Sequence, residues 1–568
     1  MGDQSPSPLN LVVVGGVAGG MSFAARARRL SESASITVFE KGPFVGYANC
    51  GIPYALGGII QSDEALILQT PDSIKARYNV DIRHSTEVIA IDRENKTVEY
   101  KTQGQEAKSM KYDKLILAQG ADAFRPPISG SNAPNVFTLQ TIPDMTAIKS
   151  YVAAHCSKSV AVIGGGFIGL EAAESLHALG MKVSIVEYMP HVFPPVDQDI
   201  AEPIHAEIRR NNVDLHLNAR VKEIVAPIEA EGTGNGSSHV LLESGEKVPG
   251  DIILLVVGVR PRITLAKTAG LEISRFGIVT NAQMQSTTDP DIYAVGDMAE
   301  TTNSITLLPQ NLALAGPANR QGRLAADHIF GRDVSYRGNV GTSVCQIFGI
   351  NVGLVGPSIT SLHSQSPNLD PEYVTVHPPN HAAYYPGATP LTLKLAFSKR
   401  NGNILGAQII GKAGVDKRID VLATAIQARM TVYDLEHLEL AYAPPFGSAK
   451  DPVNMAGFVA SNVLRGDTEI IHPEDLTPEI LDQYQVIDVR SPGEFARGYV
   501  RGAKLAPLNE LRGRLGDLDR EKKVLVYCQV GYRGYLGYRI LKQEGFKVVN
   551  LDGGFKAVSQ GGFGLLVG

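Results

Sequence analysis

Two separate segments of the chain repeat one pattern, in which a buried strand runs through a glycine-rich turn into a helix. The first is the apolar run from Asn10 to Val14, followed by the turn from Gly15 to Gly20. The second is the run from Ser159 to Ile163, followed by the turn from Gly164 to Gly169. Such a turn lets a pyrophosphate approach the backbone at a helix N-terminus beside a parallel sheet. The two turns therefore predict an α/β fold with two Rossmann-like dinucleotide-binding domains.

The first turn departs from the G-x-G-x-x-G pattern, because Val17 stands where the middle glycine is usual. Two later features support it nonetheless. The next strand ends at Glu40, a carboxylate suited to a ribose hydroxyl, and a distant strand ends at Gly296-Asp297. In FAD enzymes with two dinucleotide domains, an aspartate at that place binds the flavin ribitol. The run from Tyr112 to Gly120 resembles the strand that returns to the cofactor, with Gln119 in place of the usual threonine. We therefore expect FAD at the first site.

The second turn matches G-x-G-x-x-G in full. The strand after its helix, Lys182 to Val186, leads directly into Glu187. A carboxylate there accepts a hydrogen bond from a ribose 2′-hydroxyl and repels a 2′-phosphate, so an NAD(P)H site that favours NADH is expected. The residues expected to hold the two dinucleotides are Gly15, Gly16, Ala18, Gly19, Glu40 and Asp297 for FAD, and Gly164, Gly166, Gly169 and Glu187 for the nicotinamide cofactor.

The order of these motifs, with a nicotinamide site inserted between two flavin segments, resembles the pyridine nucleotide-disulfide reductase arrangement. The segment after them places two strand-like runs around Asn401-Gly402, a strong hairpin turn, followed by helical patterns. This segment resembles the α+β interface domain of the same superfamily, which implies a homodimer. The resemblance implies five segments: a first FAD-binding segment (8–155), an NAD(P)H-binding domain (156–262), a second FAD-binding segment (263–335), a dimerisation domain (336–464) and a C-terminal domain (470–568).

Cys50 stands alone in the first flavin segment, and no second cysteine lies within ten residues on either side. Flavoenzymes that reduce a disulfide usually carry a pair of cysteines. A lone reactive cysteine must take its partner sulfur from outside the chain. Its position after a dinucleotide motif favours this interpretation over that of a structural thiol, although free cysteines are often buried and inert.

The stretch around Cys50, the run from Ala441 to Pro445 and the arginines of the first helix together resemble coenzyme A-disulfide reductases. In that family the cysteine forms a mixed disulfide with coenzyme A, and tyrosines of the partner subunit reach the active site. The resemblance assigns a catalytic role to Tyr442 and, less directly, to Tyr384 or Tyr385, although aromatic packing is the alternative for each. It assigns substrate binding to Arg26, Arg29, Asn49, Lys75 and Lys450. Gly46 departs from the family, where serine is frequent.

The C-terminal segment carries a strand ending in Asp488-Val489-Arg490, then Glu494-Phe495, and a loop from Cys528 to Arg533 that follows another buried strand. This combination resembles a rhodanese, which implies an α/β domain with Cys528 as the sulfur-carrying nucleophile. Backbone N–H groups in such a loop stabilise a thiolate or persulfide, and Arg533 adds positive charge. Tyr499 departs from the histidine that is frequent in rhodaneses.

The fusion of a reductase with a rhodanese resembles rhodanese-fused coenzyme A-disulfide reductases, also described as persulfide or polysulfide reductases. It implies an FAD-dependent enzyme that uses NAD(P)H to reduce a coenzyme A persulfide, polysulfide or disulfide through Cys50. Two alternatives remain open. One is an NADH oxidase or peroxidase, in which a single cysteine cycles through a sulfenic acid. The other is a non-catalytic redox sensor or sulfur carrier.

Composition narrows the remaining possibilities. The chain has 53 basic and 58 acidic residues, which does not favour nucleic acid, and no apolar run is long enough to span a bilayer. Its four cysteines are far apart and form no disulfide framework or zinc pattern. We therefore expect no metal, no membrane partner and a cytoplasmic, reducing location.

Overall fold

The apolar runs of the sequence form buried strands in the computed structural model, which describes residues 8–226 and 238–567. The chain divides into two compact units. One comprises residues 1–186 and 219–339, and the other residues 187–218 and 340–568. Both units combine sheets, parallel or antiparallel, with flanking helices, which confirms the predicted α/β class.

The first unit contains a five-stranded parallel sheet around the first glycine turn. Its central strand, Asn10–Val14, is buried at every position except the first, as expected for a strand covered on both faces. The strands in spatial order are Ile292–Ala294, Lys114–Leu117, Asn10–Val14, Ser35–Phe39 and Asp81–Arg83. Because these strands are parallel, their carboxyl ends meet at one edge, where ligands of doubly wound sheets bind.

A second parallel sheet surrounds the other glycine turn. Its strands within this unit lie in the order Lys182–Val186, Ser159–Ile163, Ile252–Leu255 and Val136–Phe137. Val136–Phe137, which the sequence division assigns to the first flavin segment, pairs with Ile252–Leu255 of this sheet. The remaining strands of the unit are Thr86–Asp92, Thr97–Thr102, Lys108–Lys111, Ala121–Ala123, Val221–Val225, His239–Leu242, Lys247–Pro249, Val259–Pro261, Ile273–Ser274, Gly277–Ile278, Thr301–Thr302 and Pro309–Gln310.

The helices of the first unit cover the faces of both sheets. They are Ala18–Leu30, Ile52–Leu56, Pro71–Tyr78, Ile142–His155, Phe167–Ala178, Thr264–Thr268 and Ala315–Ile329, with short 3₁₀ turns at Asn49–Gly51, Asp63–Leu66 and Gly296–Met298. The strand predicted to run to Asp297 ends earlier, at Ala294, and Asp297 lies in the last of these 3₁₀ turns.

The second unit contains a five-stranded antiparallel sheet in the order Ser343–Ile347, Ile350–Val355, Ile404–Gly411, Leu391–Ser398 and Pro371–Val376. The predicted hairpin forms at Asn401-Gly402, and Gly402 adopts the left-handed conformation, with φ of +74°, that such a turn requires. Pro371–Val376 is the edge strand of this sheet. The C-terminal sheet is parallel, in the order Ile470–Ile471, Val548–Leu551, Lys523–Tyr527, Tyr484–Asp488 and Lys504–Leu505.

Helices pack on both sheets of the second unit. They are Gln198–Arg210, Ile359–Gln365, Val415–Gln427, Val432–Glu436, Pro452–Leu464, Pro478–Leu481, Pro492–Phe495, Tyr532–Gln543 and Gly554–Gln560; the short strands Asp214–His216, Tyr499–Val500 and Leu566–Val567 and the 3₁₀ turns Pro367–Leu369, Pro473–Asp475 and Leu511–Asp517 complete the unit. The polar, proline-containing stretch from Arg465 to Pro478 contributes Ile470–Ile471 to the C-terminal sheet.

Candidate active sites

The first glycine turn is closed against the returning strand. Gly15 has φ of +112°, and a Cβ there would lie 2.1 Å from the carbonyl oxygen of Ala118, so only glycine fits. The N–H of Gly16 donates to Glu40 Oε2 at 2.8 Å. The structure therefore brings Glu40 to the turn, as the sequence predicted for a ribose-binding carboxylate.

The helix that begins at Ala18 lies close to the Asp297 segment. A Cβ on Gly19 would come within 3.0 Å of the Val295 side chain. Burial raises the pKa of Asp297, and the nearby Arg262 opposes that shift. A Cβ on Gly120 would lie 3.9 Å from Asp297 Oδ2. Gly120 belongs to the first predicted flavin segment and Asp297 to the second, so the two segments meet here.

Gln119 provides a test of whether this site fits FAD. Its side-chain oxygen is buried and has no hydrogen-bond partner among the described residues. A buried acceptor without a donor is costly, and a hydroxyl of a bound ligand would satisfy it. FAD carries ribose and ribitol hydroxyls, so the residues present fit this cofactor.

The second glycine turn repeats the geometry of the first. Gly164 also has φ of +112°, and a Cβ there would lie 2.5 Å from the carbonyl oxygen of Val256. A Cβ on Gly169 would lie 2.0 Å from the Gly164 oxygen, whereas the space next to Gly166 is open. Gly166 caps the helix Phe167–Ala178, so open space lies where a pyrophosphate would approach its N-terminus. Glu187 is buried, and its Oε1 accepts from the N–H of Met189 at 2.7 Å.

Cys50 lies in the 3₁₀ turn Asn49–Gly51, and both Asn49 and Cys50 are exposed. Although the residue reaches the surface, partial burial raises the pKa of its thiol, and the carboxylates of Glu171 and Asp297 raise it further. The effect of Asp297 places Cys50 within electrostatic reach of the predicted ribitol-binding carboxylate.

Tyr54 connects the Cys50 segment to the second glycine motif. Its hydroxyl donates to Glu171 Oε1 at 3.0 Å. Glu171 belongs to the helix Phe167–Ala178, and burial raises the pKa of this carboxyl group. Sequence reasoning missed this pair, because the two residues lie 117 positions apart.

The two predicted tyrosines come together in the second unit. The hydroxyl oxygens of Tyr384 and Tyr442 lie 3.0 Å apart, and both side chains are exposed. Tyr385 instead packs edge-on against His381. Of the two tyrosines that the sequence left undecided, Tyr384 is the one that contacts Tyr442.

Arg418 holds the two tyrosine loops together, and sequence reasoning missed it. The side chain is 2% exposed. It pairs with Asp451 at 2.8 Å and donates to the carbonyl oxygen of Asn380, also at 2.8 Å. An arginine on a helix face otherwise occupied by Val415, Ile419 and Leu422 is the sequence signal that was available.

The residues predicted to bind the coenzyme are more scattered. Arg26 is half-buried and forms an ion pair with Asp327 at 2.6 Å, whereas Arg29, one turn later, is exposed. Lys75 is exposed and donates to Asn79 Oδ1 at 2.8 Å, and Lys450 is exposed in the loop of Tyr442. Arg28, between Arg26 and Arg29 in the same helix, is buried and donates to the carbonyl oxygens of Tyr78, Asn79, Ser31 and Glu32.

Cys528 follows the buried strand Lys523–Tyr527 and precedes the helix Tyr532–Gln543, as the sequence predicted. The residue is buried, and its carbonyl oxygen accepts from the N–H of Phe555 at 2.8 Å. Gly531, with φ of +98°, turns the chain into the helix. The Cys528 loop, residues 528–531, is therefore fixed from both ends.

Arg533 lies within interaction range of Cys528 and is also held by Glu494. Its two terminal nitrogens donate to the Glu494 carboxylate at 2.9 and 2.6 Å. The hydrogen bond with Glu494 is the main cause that raises the pKa of Arg533, and the charge of Cys528 contributes. Glu494 is a functional candidate to which the sequence pattern alone assigned no role.

Arg490 supports the same loop from the strand side. It is buried, pairs with Asp488 at 2.7 Å and donates to Gln529 Oε1 at 3.1 Å. Its guanidinium lies 4.0 Å from the centroid of the Phe555 ring. The Asp488-Val489-Arg490 motif thus positions Gln529, the residue that follows Cys528.

Neither a metal cluster nor a membrane-spanning helix occurs among the described residues. Within 8–226 and 238–567 there is no group of three or more His, Cys, Asp or Glu side chains arranged to hold a metal ion. In the same ranges, no helix has the length and apolar character needed to cross a bilayer.

Comparison with known proteins assigns three regions of the chain. Residues 9–322 match the pyridine nucleotide-disulphide oxidoreductase model, residues 342–452 its dimerisation domain, and residues 474–560 the rhodanese-like domain. A coenzyme A disulfide reductase of Staphylococcus haemolyticus is 33% identical over 80% of this chain and 99% of its own length.

Two solved structures resemble nearly the whole chain. Reduced CoADR-RHD of Bacillus anthracis is 42% identical, with a TM-score of 0.95 over 99% of both chains. An NAD-dependent persulfide reductase from A. fulgidus is 35% identical, with a TM-score of 0.89 over 97% of this chain and 100% of its own. With these matches and both dinucleotide sites in place, the chain belongs to the pyridine nucleotide-disulphide oxidoreductase family, as a flavoprotein enzyme fused to a rhodanese-like domain.

Proposed function

We propose that this enzyme uses NADH and FAD to reduce a coenzyme A persulfide, polysulfide or disulfide through Cys50, while Cys528 carries sulfane sulfur. The observation that carries the proposal is a lone cysteine on the flavin side, within the electrostatic influence of Asp297, in a chain that also holds a rhodanese-like loop. The relatives named for coenzyme A disulfide and persulfide reduction support the choice of substrate.

When bound, NADH and FAD supply the two electrons and the hydride transfer. Cys50 does the sulfur chemistry. Its thiolate attacks the sulfur attached to coenzyme A, the bond to the outer sulfur breaks, and hydrosulfide leaves with the bonding electrons. The product is a mixed disulfide between Cys50 and coenzyme A. With coenzyme A disulfide, the leaving group is coenzyme A thiolate instead.

The raised pKa of Cys50 has a consequence for this cycle. Only the thiolate attacks a disulfide, and burial with two nearby carboxylates opposes its formation from the thiol. Two-electron reduction of the mixed disulfide, however, releases Cys50 directly as a thiolate. The cycle therefore needs no separate base for Cys50, but it needs a proton donor for the departing sulfur.

Tyr442 and Tyr384, contributed by the partner subunit of a homodimer, fit the role of that donor in the proposal. Both phenols are exposed on their own chain and hydrogen-bonded to each other. The match to the dimerisation domain supports the homodimer. Arg29, Lys75 and Lys450, which are exposed, remain the proposed contacts for the coenzyme phosphates, and Asn49 a contact near the sulfur.

Arg26 is also a proposed contact for the coenzyme phosphates, but it already forms an ion pair with Asp327. Coenzyme phosphates would have to compete with a carboxylate that already holds the guanidinium at 2.6 Å. We therefore propose that Arg29 makes the larger contribution of the two.

The five-segment division and a cytoplasmic, reducing location also belong to the proposal, the latter because Cys50, Cys156 and Cys528 are free thiols.

A Cys50→Ser variant tests the proposal. It is expected to retain bound FAD and to lose NADH-dependent turnover of coenzyme A disulfide and persulfide. Full turnover by this variant would remove Cys50 from the mechanism. The NADH oxidase alternative predicts that oxygen or peroxide consumption outpaces sulfide release. The sensor alternative predicts that NADH fails to bleach the flavin on the timescale of turnover.

A further inference from the structure

We propose that His472, Glu372 and Asp552 are positioning residues that fix the Cys528 loop against the edge strand of the antiparallel sheet and thereby set the rate of sulfur transfer. The inference rests on the proposed role of Cys528. It concerns three residues of the second unit that lie outside the cofactor, tyrosine and Cys528–Arg533 sites.

The edge strand Pro371–Val376 is covered by carboxylates. An edge strand exposes unpaired N–H groups, which cost free energy if they are buried without a partner. The N–H of Thr375 donates to both oxygens of Asp552, at 3.1 and 3.0 Å. The N–H of Tyr373 donates to Glu372 Oε1 at 3.0 Å. Asp552 therefore joins the C-terminal sheet to this strand through two buried hydrogen bonds.

His472 lies between the two carboxylates. Its Nε2 is 2.8 Å from Glu372 Oε1, and its Nδ1 is 3.6 Å from Asp552 Oδ2. The imidazole stacks on the Tyr373 ring with centroids 3.8 Å apart. Burial disfavours a charge on this ring, but the nearby carboxylates of Asp552 and Glu372 prevail and raise the pKa of His472 to about 10. At neutral pH the imidazolium thus connects two carboxylates from two sheets.

Further charged groups lie close to His472, Glu372 and Asp552. Tyr373 donates its hydroxyl to Glu474, and Lys394 lies 4.2 Å from the centroid of the Tyr373 ring. The charged groups in this network besides His472, Glu372 and Asp552 are Glu474, Lys394, Asp197, Asp199 and Lys399. A buried network of ion pairs favours one arrangement of its members over others, which is the property that positioning requires.

Asp552 is linked to Cys528 through the next four residues. Gly553 and Gly554 both adopt left-handed φ values, +64° and +65°. A Cβ on Gly553 would lie 3.2 Å from Thr375 Cβ, and one on Gly554 would lie 2.5 Å from the Cys528 carbonyl oxygen. The N–H of Lys556 donates to the backbone carbonyl oxygen of Gln529 at 3.0 Å. This segment therefore touches the edge strand on one side and the Cys528 loop on the other.

The test uses His472→Gln, His472→Lys and Asp552→Asn in the full-length holoenzyme, with the exposed His437→Gln as matched control. Sulfur transfer is measured as thiocyanate formed from thiosulfate and cyanide. Independently, the rate of Cys528 alkylation by iodoacetamide is followed by peptide mass spectrometry. Flavin absorbance and NADH-dependent reduction of coenzyme A disulfide report on the integrity of the rest of the protein.

We expect His472→Gln and Asp552→Asn to reduce the kcat of sulfur transfer by about tenfold to a hundredfold, since small displacements of a reacting group have such effects. Alkylation of Cys528 should accelerate by about tenfold as the loop opens locally. His472→Lys should return both the kcat of sulfur transfer and the alkylation rate of Cys528 most of the way to those of the parent protein, because it keeps a positive charge between the carboxylates. A role limited to filling space would not be rescued by lysine.

The proposal is overturned if His472→Gln and Asp552→Asn leave the alkylation rate and sulfur transfer unchanged. It is also overturned if His472→Lys behaves like His472→Gln. Should the parent chain form no thiocyanate, the proposed function of Cys528 fails, and the alkylation rates still decide the positioning. If His472→Gln does not fold, Gly553→Ala tests the same contact, since its Cβ would press on Thr375.

Discussion

The hydroxyl oxygens of Tyr384 and Tyr442 lie 3.0 Å apart, although the two residues are 58 positions apart in the chain. The hydrogen bond with Tyr442 raises the pKa of Tyr384, so this phenol keeps its proton across neutral pH. A phenol that keeps its proton while paired with a second phenol can donate to a departing thiolate and be reprotonated by its neighbour.

Replacing Tyr442 with phenylalanine is therefore expected to slow NADH-dependent reduction of coenzyme A disulfide by about a hundredfold, the range typical of a lost general acid. Reduction of the flavin by NADH, measured by rapid mixing, should not change. Tyr385→Phe is the matched control, because the Tyr385 ring packs against His381 and the hydroxyl that pairs with Tyr442 is that of Tyr384. Equal effects of the two variants would contradict a specific role for the pair.

The buried ion pair of Arg418 with Asp451 should be needed for stability as well as for the tyrosine loops. The side chains of Arg418 and Asp451 are 2% and 3% exposed, and removing one of them leaves the other charge buried and unpaired. Arg418→Met is expected to lower the free energy of unfolding by about 3 kcal/mol in urea titrations. The exposed Arg429→Met should have little effect. A similar stability for both variants would show that the pair is dispensable.

The Arg533–Glu494 pair predicts how the stability of the rhodanese-like domain depends on pH. The hydrogen bond from Arg533 lowers the pKa of Glu494 from 4.5 to about 2. The pair therefore stabilises the folded state fully above pH 4.5, and this contribution is lost as the pH falls towards 2. Glu494→Gln should flatten the dependence of the melting temperature on pH in that window. An unchanged slope in the variant would contradict the assignment.

Cys528→Ser should separate the two activities. We expect the variant to lose sulfur transfer from thiosulfate, because no nucleophile remains at the end of the strand Lys523–Tyr527. Reduction of coenzyme A disulfide by NADH should continue at the parent rate, since Cys50 is unaffected. Parallel loss of both activities in a correctly folded variant would mean that Cys528 takes part in the reductase cycle itself.

The sequence predicts some elements of this fold to the residue and misses others for a physical reason. The strands Asn10–Val14, Ser159–Ile163 and Lys523–Tyr527 begin and end where their apolar runs do. Each is buried on both faces, so the run of apolar residues is continuous and its limits are clear.

Side-chain partners across the chain follow no local pattern. Arg26 meets Asp327 across 301 positions, and Thr375 meets Asp552 across 177. Arg28 illustrates the same limit, because its burial depends on carbonyl oxygens that only the folded helix end brings together. Motifs thus predict which residues react, whereas the contacts that would position them are visible only in the three-dimensional structure.

The most direct test of the proposed mechanism is the mass of Cys50 in protein purified without reductant. The mechanism predicts that the peptide containing Cys50 carries coenzyme A as a mixed disulfide, and that NADH releases one coenzyme A per flavin. Peptides containing Cys156 should carry no adduct. A Cys50 found as a sulfenic acid, or as a thiol that coenzyme A disulfide does not modify, would contradict it.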